Sequence, residues 1–411
     1  MALRDGEIAR RKKAGEDILA KLERLDPHTT FLHFLRAATA AKLGQRALVD
    51  GARRHTYAEL FAAIDAAAQV LQERGVKLGD AVAMLVDNSD RYVVWYFAVL
   101  QLGAMAVPIN TKLVEREIAH IVRDSGARLI VLDAGYRSLV QQASGLSAVA
   151  SDLPSAHSGV APLPAPPLPA GVLDRPAAVY YTSGTTGMPK GVVHTHRTFI
   201  AGCLQAPMAW QFPRDKFVSL AVTPLFHIAA HTLFFPALAA GGILIIASFK
   251  PVEVFKLLKQ EKVTSFFGVP SILLIMAQRA RELGVYFPGV EVVQFGAAPM
   301  PMEKLNEVQA LFPQAALIHG MGQTESCGTL VSLPGQLGLA KIGSVGIALP
   351  ATEVAIFDEK DRPVAPNTVG ELVGRSPSVM IEYLNRPDAT AETMKGGWLH
   401  TGDLGYLDDD G

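Results

Sequence analysis

The chain has 411 residues, 49% hydrophobic and 19% charged, with a formal net charge of −1. This is the balance of a soluble globular protein with material for two or three domains, and it lacks the basic surplus of a nucleic-acid binder. The two cysteines, Cys203 and Cys327, form no disulfide framework or metal-ligand spacing and read as buried small residues in a reducing, cytoplasmic compartment.

Residues 1–27 carry Arg10-Arg11-Lys12-Lys13 and Glu16-Asp17, without the apolar core of a secretory signal. They predict a polar helix with a solvated face. From Asp80 the pattern alternates: strand over Ala81 to Val86, helix over Tyr92 to Leu102, strand over Ala106 to Ile109, helix over Val114 to Arg123, strand over Arg128 to Leu132. Such an order predicts a parallel sheet covered by helices. Residues 144–172 hold the proline-dense run Pro162 to Pro169, which fits neither helix nor central strand, and predict an exposed connector.

A second series follows. Phe217 to Ala221, Ile243 to Ile246, Val263 to Phe267 and Val292 to Phe295 predict buried strands, separated by helical segments around Ala230, Val254, Leu273 and Leu305. The apolar stretch His227 to Ala247 holds His231, Pro236 and Gly241-Gly242, so it reads as helix, turn and strand rather than a lipid span. After residue 338, short strands such as Glu353 to Phe357 and Gly370 to Val373 alternate with Asp, Pro and Gly turns, as in a small antiparallel barrel. Leu404 to Leu407 is strand-like, and Asp408-Asp409-Asp410-Gly411 is a hairpin turn signal that calls for a returning strand. The expected fold class is therefore α/β: two parallel-sheet α/β subdomains with helices on both faces (28–338, connector 144–172), plus a small antiparallel β-barrel subdomain (339–411) that stops at a hinge.

One loop stands out: Tyr181-Thr182-Ser183-Gly184-Thr185-Thr186-Gly187-Met188-Pro189-Lys190-Gly191. Its glycines let backbone amides wrap an anion, its hydroxyls add donors, and Lys190 adds a mobile charge. The combination suits a polyphosphate. It is not a Walker loop, because Pro189 precedes the lysine and Gly191 follows it. The nearest dinucleotide fingerprint, Gly320 to Glu325, ends in a carboxylate and fails as well.

This run closely resembles the signature loop of the adenylate-forming (ANL) superfamily, which includes acyl-CoA synthetases, peptide-synthetase adenylation domains and luciferases. The resemblance extends from about Thr56 to the last residue, through four further segments in the superfamily's order. It implies that Thr182, Ser183, Gly184, Thr185, Thr186, Gly187 and Lys190 hold the triphosphate of ATP, with Thr185 and Lys190 acting in catalysis. In Thr223-Pro224-Leu225-Phe226-His227 it assigns His227 to the carboxylate or acyl-adenylate; Ala230 stands where the family often has glycine. Gly296-Ala297-Ala298-Pro299 becomes an adenine wall. In Gly320-Met321-Gly322-Gln323-Thr324-Glu325, Thr324 faces the α-phosphate and Glu325 holds Mg²⁺, while Met321 replaces the usual aromatic under adenine. Asp403, in Thr401-Gly402-Asp403, accepts the ribose hydroxyls; Gly370-Glu371-Leu372 and Tyr383 match the preceding family element, with Glu382 where glycine is usual.

The activity so implied is an ATP-dependent carboxylic acid:CoA ligase acting through an acyl-adenylate, with ATP, Mg²⁺ and coenzyme A. Sparse charge around His227 and Gly320 favours a fatty or other hydrophobic acid over an amino acid. The alternatives are an adenylation unit that loads a carrier protein and a non-catalytic nucleotide-binding module. A homodimer is left open; nucleic acid and membrane-spanning segments are not expected. The family's small C-terminal domain, with its bridging lysine, would follow Gly411. The expectation is therefore that the 411 residues bind nucleotide but adenylate poorly.

Overall fold

The structure is a computed structural model that describes residues 2–140, 146–154, 167–182, 188–213, 216–338, 341 and 343–411. Its early strands are β1 (Arg46–Asp50), β2 (Arg53–Thr56), β3 (Ala81–Leu85), β4 (Met105–Pro108), β5 (Leu129–Leu132), β6 (Ser147–Ala150), β7 (Pro176–Thr182) and β8 (Lys190–Thr195). Next come β9 (Val218–Ala221), β10 (Ile243–Ile246), β11 (Ser265–Phe267), β12 (Val292–Gly296), β13 (Ala316–Met321), β14 (Val331–Leu333) and β15 (Ile347–Ala348). The last are β16 (Glu353–Phe357), β17 (Gly370–Arg375), β18 (Glu382–Tyr383) and β19 (Leu399–Gly405).

Two large sheets result, as the sequence predicts. One has the order β18-β8-β7-β4-β3-β5-β6, the other β15-β14-β13-β12-β11-β9-β10-β1-β2. Their centres are parallel: β4, β3 and β5 in the first, β10, β9, β11, β12 and β13 in the second. The side-chain period of two sorts residues into separate cores. Val82 and Met84 face one core, Ala83 and Leu85 another; Leu244 and Ile246 share the first of these, and Ile245 turns away. The two sheets thus share a core, filled by the helices between them.

Helix α1 spans Ala2–Glu23, α2 Phe31–Ala38, α3 Tyr57–Glu73, α4 Asp90–Gln101, α5 Glu115–Ser125 and α6 His196–Ala209. In α4 every residue but Arg91 is buried, as expected for a helix that is apolar all round. Thr56 and Glu59 form a reciprocal capping box that starts α3. Ser89 caps α4 by accepting from the Tyr92 amide.

Four findings refine the sequence reading. Helix α1 keeps an exposed polar face, and its other face docks: Ile18 and Leu22 are buried, and Arg11, only 3% exposed, donates to the Ile347 and Ala348 carbonyls and to Ser332 Oγ at 2.9–3.0 Å. Burial lowers the Arg11 pKa, with Glu7 opposing it. The charged run that suggested exposure conceals one arginine that closes the β14–β15 edge. Second, residues 147–150 of the supposed connector are β6, an edge strand parallel to β5, held because Trp95 Nε1 donates to the Ser151 carbonyl at 2.7 Å. Third, residues 46–56 supply β1 and β2 to the second sheet, so the halves are not consecutive in sequence. Fourth, the small antiparallel unit is an open sheet, β16-β17-β19, among the described residues, with Leu404 and Gly405 forming the end of β19 rather than a separate strand.

Candidate functional site

Strands β7 and β8 form an antiparallel pair that ends with Thr182 opposite Lys190. The chain passes between them through residues 183–189; Ser183, Gly184, Thr185, Thr186 and Gly187 lie outside the described residues. Lys190 opens β8, and its Nζ lies 5.0 Å from the centroid of the Tyr383 ring, a cation–π contact. Tyr383 is there because β18 adds to β8, with Tyr383 opposite Val192. Its hydroxyl donates to Glu325 Oε1 at 2.6 Å. Burial, then the hydrogen bond and charge of Glu325, raise the Tyr383 pKa, so the phenol stays a donor. Tyr383 therefore joins the lysine of the signature loop to a buried glutamate 135 positions away in the numbering (325 − 190 = 135).

Glu325 sits in a 3₁₀ turn, Thr324–Ser326, that follows β13. The turn is clamped from three sides. The Ser326 hydroxyl and Gln323 bond reciprocally at 3.0 Å. The Met380 amide donates to the Glu325 carbonyl at 2.7 Å. His194 Nε2 donates to the Thr324 carbonyl at 2.8 Å, and burial pushes the His194 pKa down to about 4, so the ring is neutral. Thr324 and Glu325 are both buried, at 8% exposure each.

Beside this turn, β12 and β13 end together, with Gly296 opposite Gly320. Both must be glycine for steric reasons. A Cβ on Gly296 would collide with the Gly320 carbonyl, and one on Gly320 with the Trp210 ring. Beyond Gly296 the chain turns sharply at Ala297, with φ +66°, a left-handed conformation that alanine adopts at a cost. Ala297, Ala298 and Pro299 then lie exposed as a small apolar shelf. Met321, the last residue of β13, is half-buried and packs with the core that contains Val192 and Tyr383. Trp210, Thr232, Cys327 and Thr329 line a small cavity behind Gly320, with room of only about 10 Å³. Burial pushes the Cys327 thiol up to about 12 and raises the Cys203 thiol as well, as expected of inert packing cysteines.

His227 follows β9 in Thr223-Pro224-Leu225-Phe226-His227. The segment is held from the other sheet by Asn88, whose amide donates to the Thr223 carbonyl at 2.8 Å and accepts from the Leu225 amide at 2.7 Å. Desolvation lowers the His227 pKa, although the residue is exposed by area. A π-helical turn, Ala230–Phe234, comes next, an irregularity common at functional sites. Neither His227 nor Asp403 hydrogen-bonds to the Lys190–Tyr383–Glu325 group. Asp403 is exposed on β19 of the small sheet. Its turn is fixed by Glu371, whose two oxygens accept from the Gly402 amide at 2.9 Å and from His400 Nδ1 at 2.8 Å.

Sequence reasoning missed the connectors: Tyr383 as the bridge, His194 behind Thr324, Asn88 between the sheets and Trp210 behind Gly320. Each acts across more than 50 residues, and no local spacing marks it. The chemistry of the donor set still fits a hard divalent cation. One buried carboxylate, its second oxygen without a partner among the described residues, suits an ion shared with phosphates, not an all-protein cage, and no group of three or more His, Cys, Asp or Glu poised for a metal exists among the described residues.

The fold is that of an α/β protein in which Gly296, Gly320 and the Thr324–Ser326 turn gather at the carboxyl edge of parallel strands, the edge where open α/β sheets take their ligands. The chain belongs to the family of AMP-binding enzymes, whose sequence profile matches residues 34–384. A feruloyl-CoA synthase from Amycolatopsis sp is 34% identical over 394 residues, covering 94% of this chain and 75% of that one. The long-chain-fatty-acid–CoA ligase FadD13 of Mycobacterium tuberculosis is 33% identical over 384 residues, 87% of this chain and 72% of that one. The solved structure of o-succinylbenzoate coenzyme A synthetase from Bacillus subtilis, in complex with ATP and magnesium ion, superposes with a TM-score of 0.83 at 27% identity, over 92% of this chain and 78% of that one. These relatives are CoA ligases. Among the described residues, no helix is long and apolar enough to cross a membrane.

Proposed function

We propose that this chain binds the nucleotide and the acid for the reaction of an ATP-dependent carboxylic acid:CoA ligase that acts on a hydrophobic acid. The observation that carries the reading is the Lys190–Tyr383–Glu325 group beside the paired Gly296 and Gly320 backbones. It sets one cation, one buried anion and a flat apolar shelf next to the most diagnostic loop of the family.

In the first step the acid's carboxylate attacks the α-phosphorus of ATP, the bond to the β-phosphate oxygen breaks, and pyrophosphate leaves. A carboxylate needs no general base at neutral pH. The barrier lies in charge gathering on phosphate oxygens, so positioned donors and Lys190 do the work. Thr182 and Ser183–Gly187 are assigned to the phosphates, Thr324 to the α-phosphate, Gln323 and Gly322 to the backbone around it. When bound, Mg²⁺ supplies phosphate charge neutralisation; Glu325 is the residue to hold it, oriented by Tyr383. Ala297, Ala298 and Pro299 face one side of adenine and Met321 the other, and Asp403 takes the ribose. His227 borders the acyl group. In the second step the thiol of coenzyme A attacks the acyl carbon, the thioester forms and AMP departs. The apolar part of the acid is assigned to the side of β13 that faces the π-helical turn, with Trp210 as the wall that limits its length.

The test is calorimetry of ATP with Mg²⁺ on the 411-residue chain, with Lys190→Ala and Glu325→Gln as variants. Expected are one site, weakened in both. A parallel panel of acids assayed for AMP release with coenzyme A identifies the substrate. Absence of nucleotide binding sinks the reading.

A further inference from the structure

A cavity of about 1110 Å³ lies at the opposite edge of the nine-stranded sheet from Gly296 and Gly320. Its walls come from the amino ends of five strands and the turns before them: Arg46 on β1, Val218 on β9, Ile243 on β10, Thr264 before β11 and Glu291 before β12. A five-residue strand at about 3.3 Å per residue puts roughly 16 Å between this edge and the carboxyl edge. The cavity is therefore no extension of the site described above.

Its lining is two-sided. Phe217, Phe255, Val263 and Val290 give an apolar floor that is already buried, and Leu283 and Val285 form a lip that is 45% and 38% exposed. Six cationic side chains, Lys42, Arg46, Lys216, Lys256, Lys259 and Lys262, stand against two acids, Glu261 and Glu291. Three of the six are already engaged. Arg46 pairs with Glu261 at 3.0 Å, Lys256 with Glu253 at 3.0 Å, and Lys42 donates to the Ala240 carbonyl at 3.1 Å. Lys216, Lys259 and Lys262 have no such partner among the described residues. Lys262 is moreover held at φ +53°, an unusual conformation for a lysine.

We propose that this cavity binds a single anionic amphiphile, a carboxylate or phosphate head with an alkyl body, with the head on Lys216, Lys259 and Lys262 and the body on the Phe217–Phe255 floor. Charge complementarity selects the head and the apolar floor selects the body. The concavity selects a monomer: its volume is that of a small-molecule pocket, whereas a bilayer face would call for a flat or convex surface.

The probe is dodecyl phosphate below its micelle concentration, titrated calorimetrically into the 411-residue chain saturated with ATP. The expected result is one-to-one binding that weakens as salt rises. The triple variant Lys216→Gln/Lys259→Gln/Lys262→Gln is expected to lose about tenfold in affinity or more, with ATP affinity unchanged. Leu283→Glu, on the exposed lip, is a second variant that is expected to weaken the probe without touching the lysines. Equal affinity in the triple variant overturns the proposal, as does displacement of the probe by ATP. Binding only to vesicles containing phosphatidylglycerol, with none of the monomer, also overturns it and makes the face a membrane contact.

Discussion

Acid is expected to unfold this protein through three histidines behind the site. His194, His196 and His231 are 0–1% exposed. His231 stacks on Phe199 with ring centroids 3.5 Å apart, and His194 stacks at 5.2 Å from the same phenylalanine. Burial pushes His194 to about 4 and His196 to about 3, and drives His231 well below the ordinary range. All three are therefore neutral when folded but titrate near 6.5 when unfolded. A depressed folded pKa means that the unfolded state takes up the proton first. Stability is complete above 6.5 and declines as pH falls below it, until the folded pKa values are reached. Between pH 7.5 and 5.0 each ring costs about 2 kcal/mol, so the three together cost about 6 kcal/mol. That rivals the ~5–15 kcal/mol that holds most domains together. Urea unfolding followed by fluorescence of the buried Trp95 and Trp210 measures it. In His194→Gln the amide still donates to the Thr324 carbonyl but cannot titrate, so the loss over this interval should shrink by about 2 kcal/mol. Equal unfolding free energies at the two pH values, or an unchanged loss in the variant, would refute the reasoning.

Tyr383→Phe removes the donor to Glu325 Oε1 while keeping the ring under Lys190; the acid-dependent release of pyrophosphate should fall about tenfold, since a hydrogen bond to a charged group contributes roughly 1.5–3 kcal/mol, and the Mg²⁺ concentration for half-maximal rate should rise. Trp210→Ala opens the end wall behind Gly320; kcat/KM for acids longer than the native substrate should climb about fourfold for each methylene newly buried, at ~0.8 kcal/mol each, at a cost of ~3–5 kcal/mol in stability. Glu371→Ala frees the Gly402 amide and His400, so the KM for ATP should rise several-fold with little change in kcat, as read from steady-state kinetics.

The layers of the fold were legible because the central strands are buried on both faces. Continuous apolar runs such as Leu129–Leu132 and Ile243–Ile246 can satisfy their backbones only in the middle of a sheet, and they formed β5 and β10 within a residue of expectation. The edges were not legible. Ser147–Ala150 has the composition of a loop, and it is a strand because β5 offers an unpaired edge and Trp95 anchors the exit. Arg11 reads as one charge among several in a polar helix; only the docking of α1 against Ile347 and Ala348 singles it out. The same division holds at the site. Gly296 and Gly320 were singled out by the family resemblance of their segments, since each run taken alone reads only as a turn after a strand; what the structure adds is that the two glycines pair and that a Cβ on either would collide with a neighbour.

What sequence could not supply is the mutual placement of those motifs, and here the two-residue strand β18 decides. Glu382 and Tyr383 are too short a run to announce a strand, and Glu382 stands where the resembling family has glycine. Yet their pairing with Val193 and Val192 draws the segment between the small sheet and the first large sheet. The Leu384 amide reaches back to the Gly191 carbonyl at 2.8 Å and the Ile381 amide to Val193 at 3.0 Å, so the segment is bonded on both sides of Tyr383 to the strand that Lys190 opens. Meanwhile the Met380 amide holds the Glu325 carbonyl. One short stretch, 380–384, is therefore hydrogen-bonded both to the strand that follows the signature loop and to the turn that presents Glu325. A lysine and a glutamate from different sheets are set on two sides of one phenol ring by backbone pairing rather than by their own attraction. The long, flexible lysine thereby gains a fixed platform, and the carboxylate keeps one oxygen without a partner among the described residues, which suits a phosphate-bound cation.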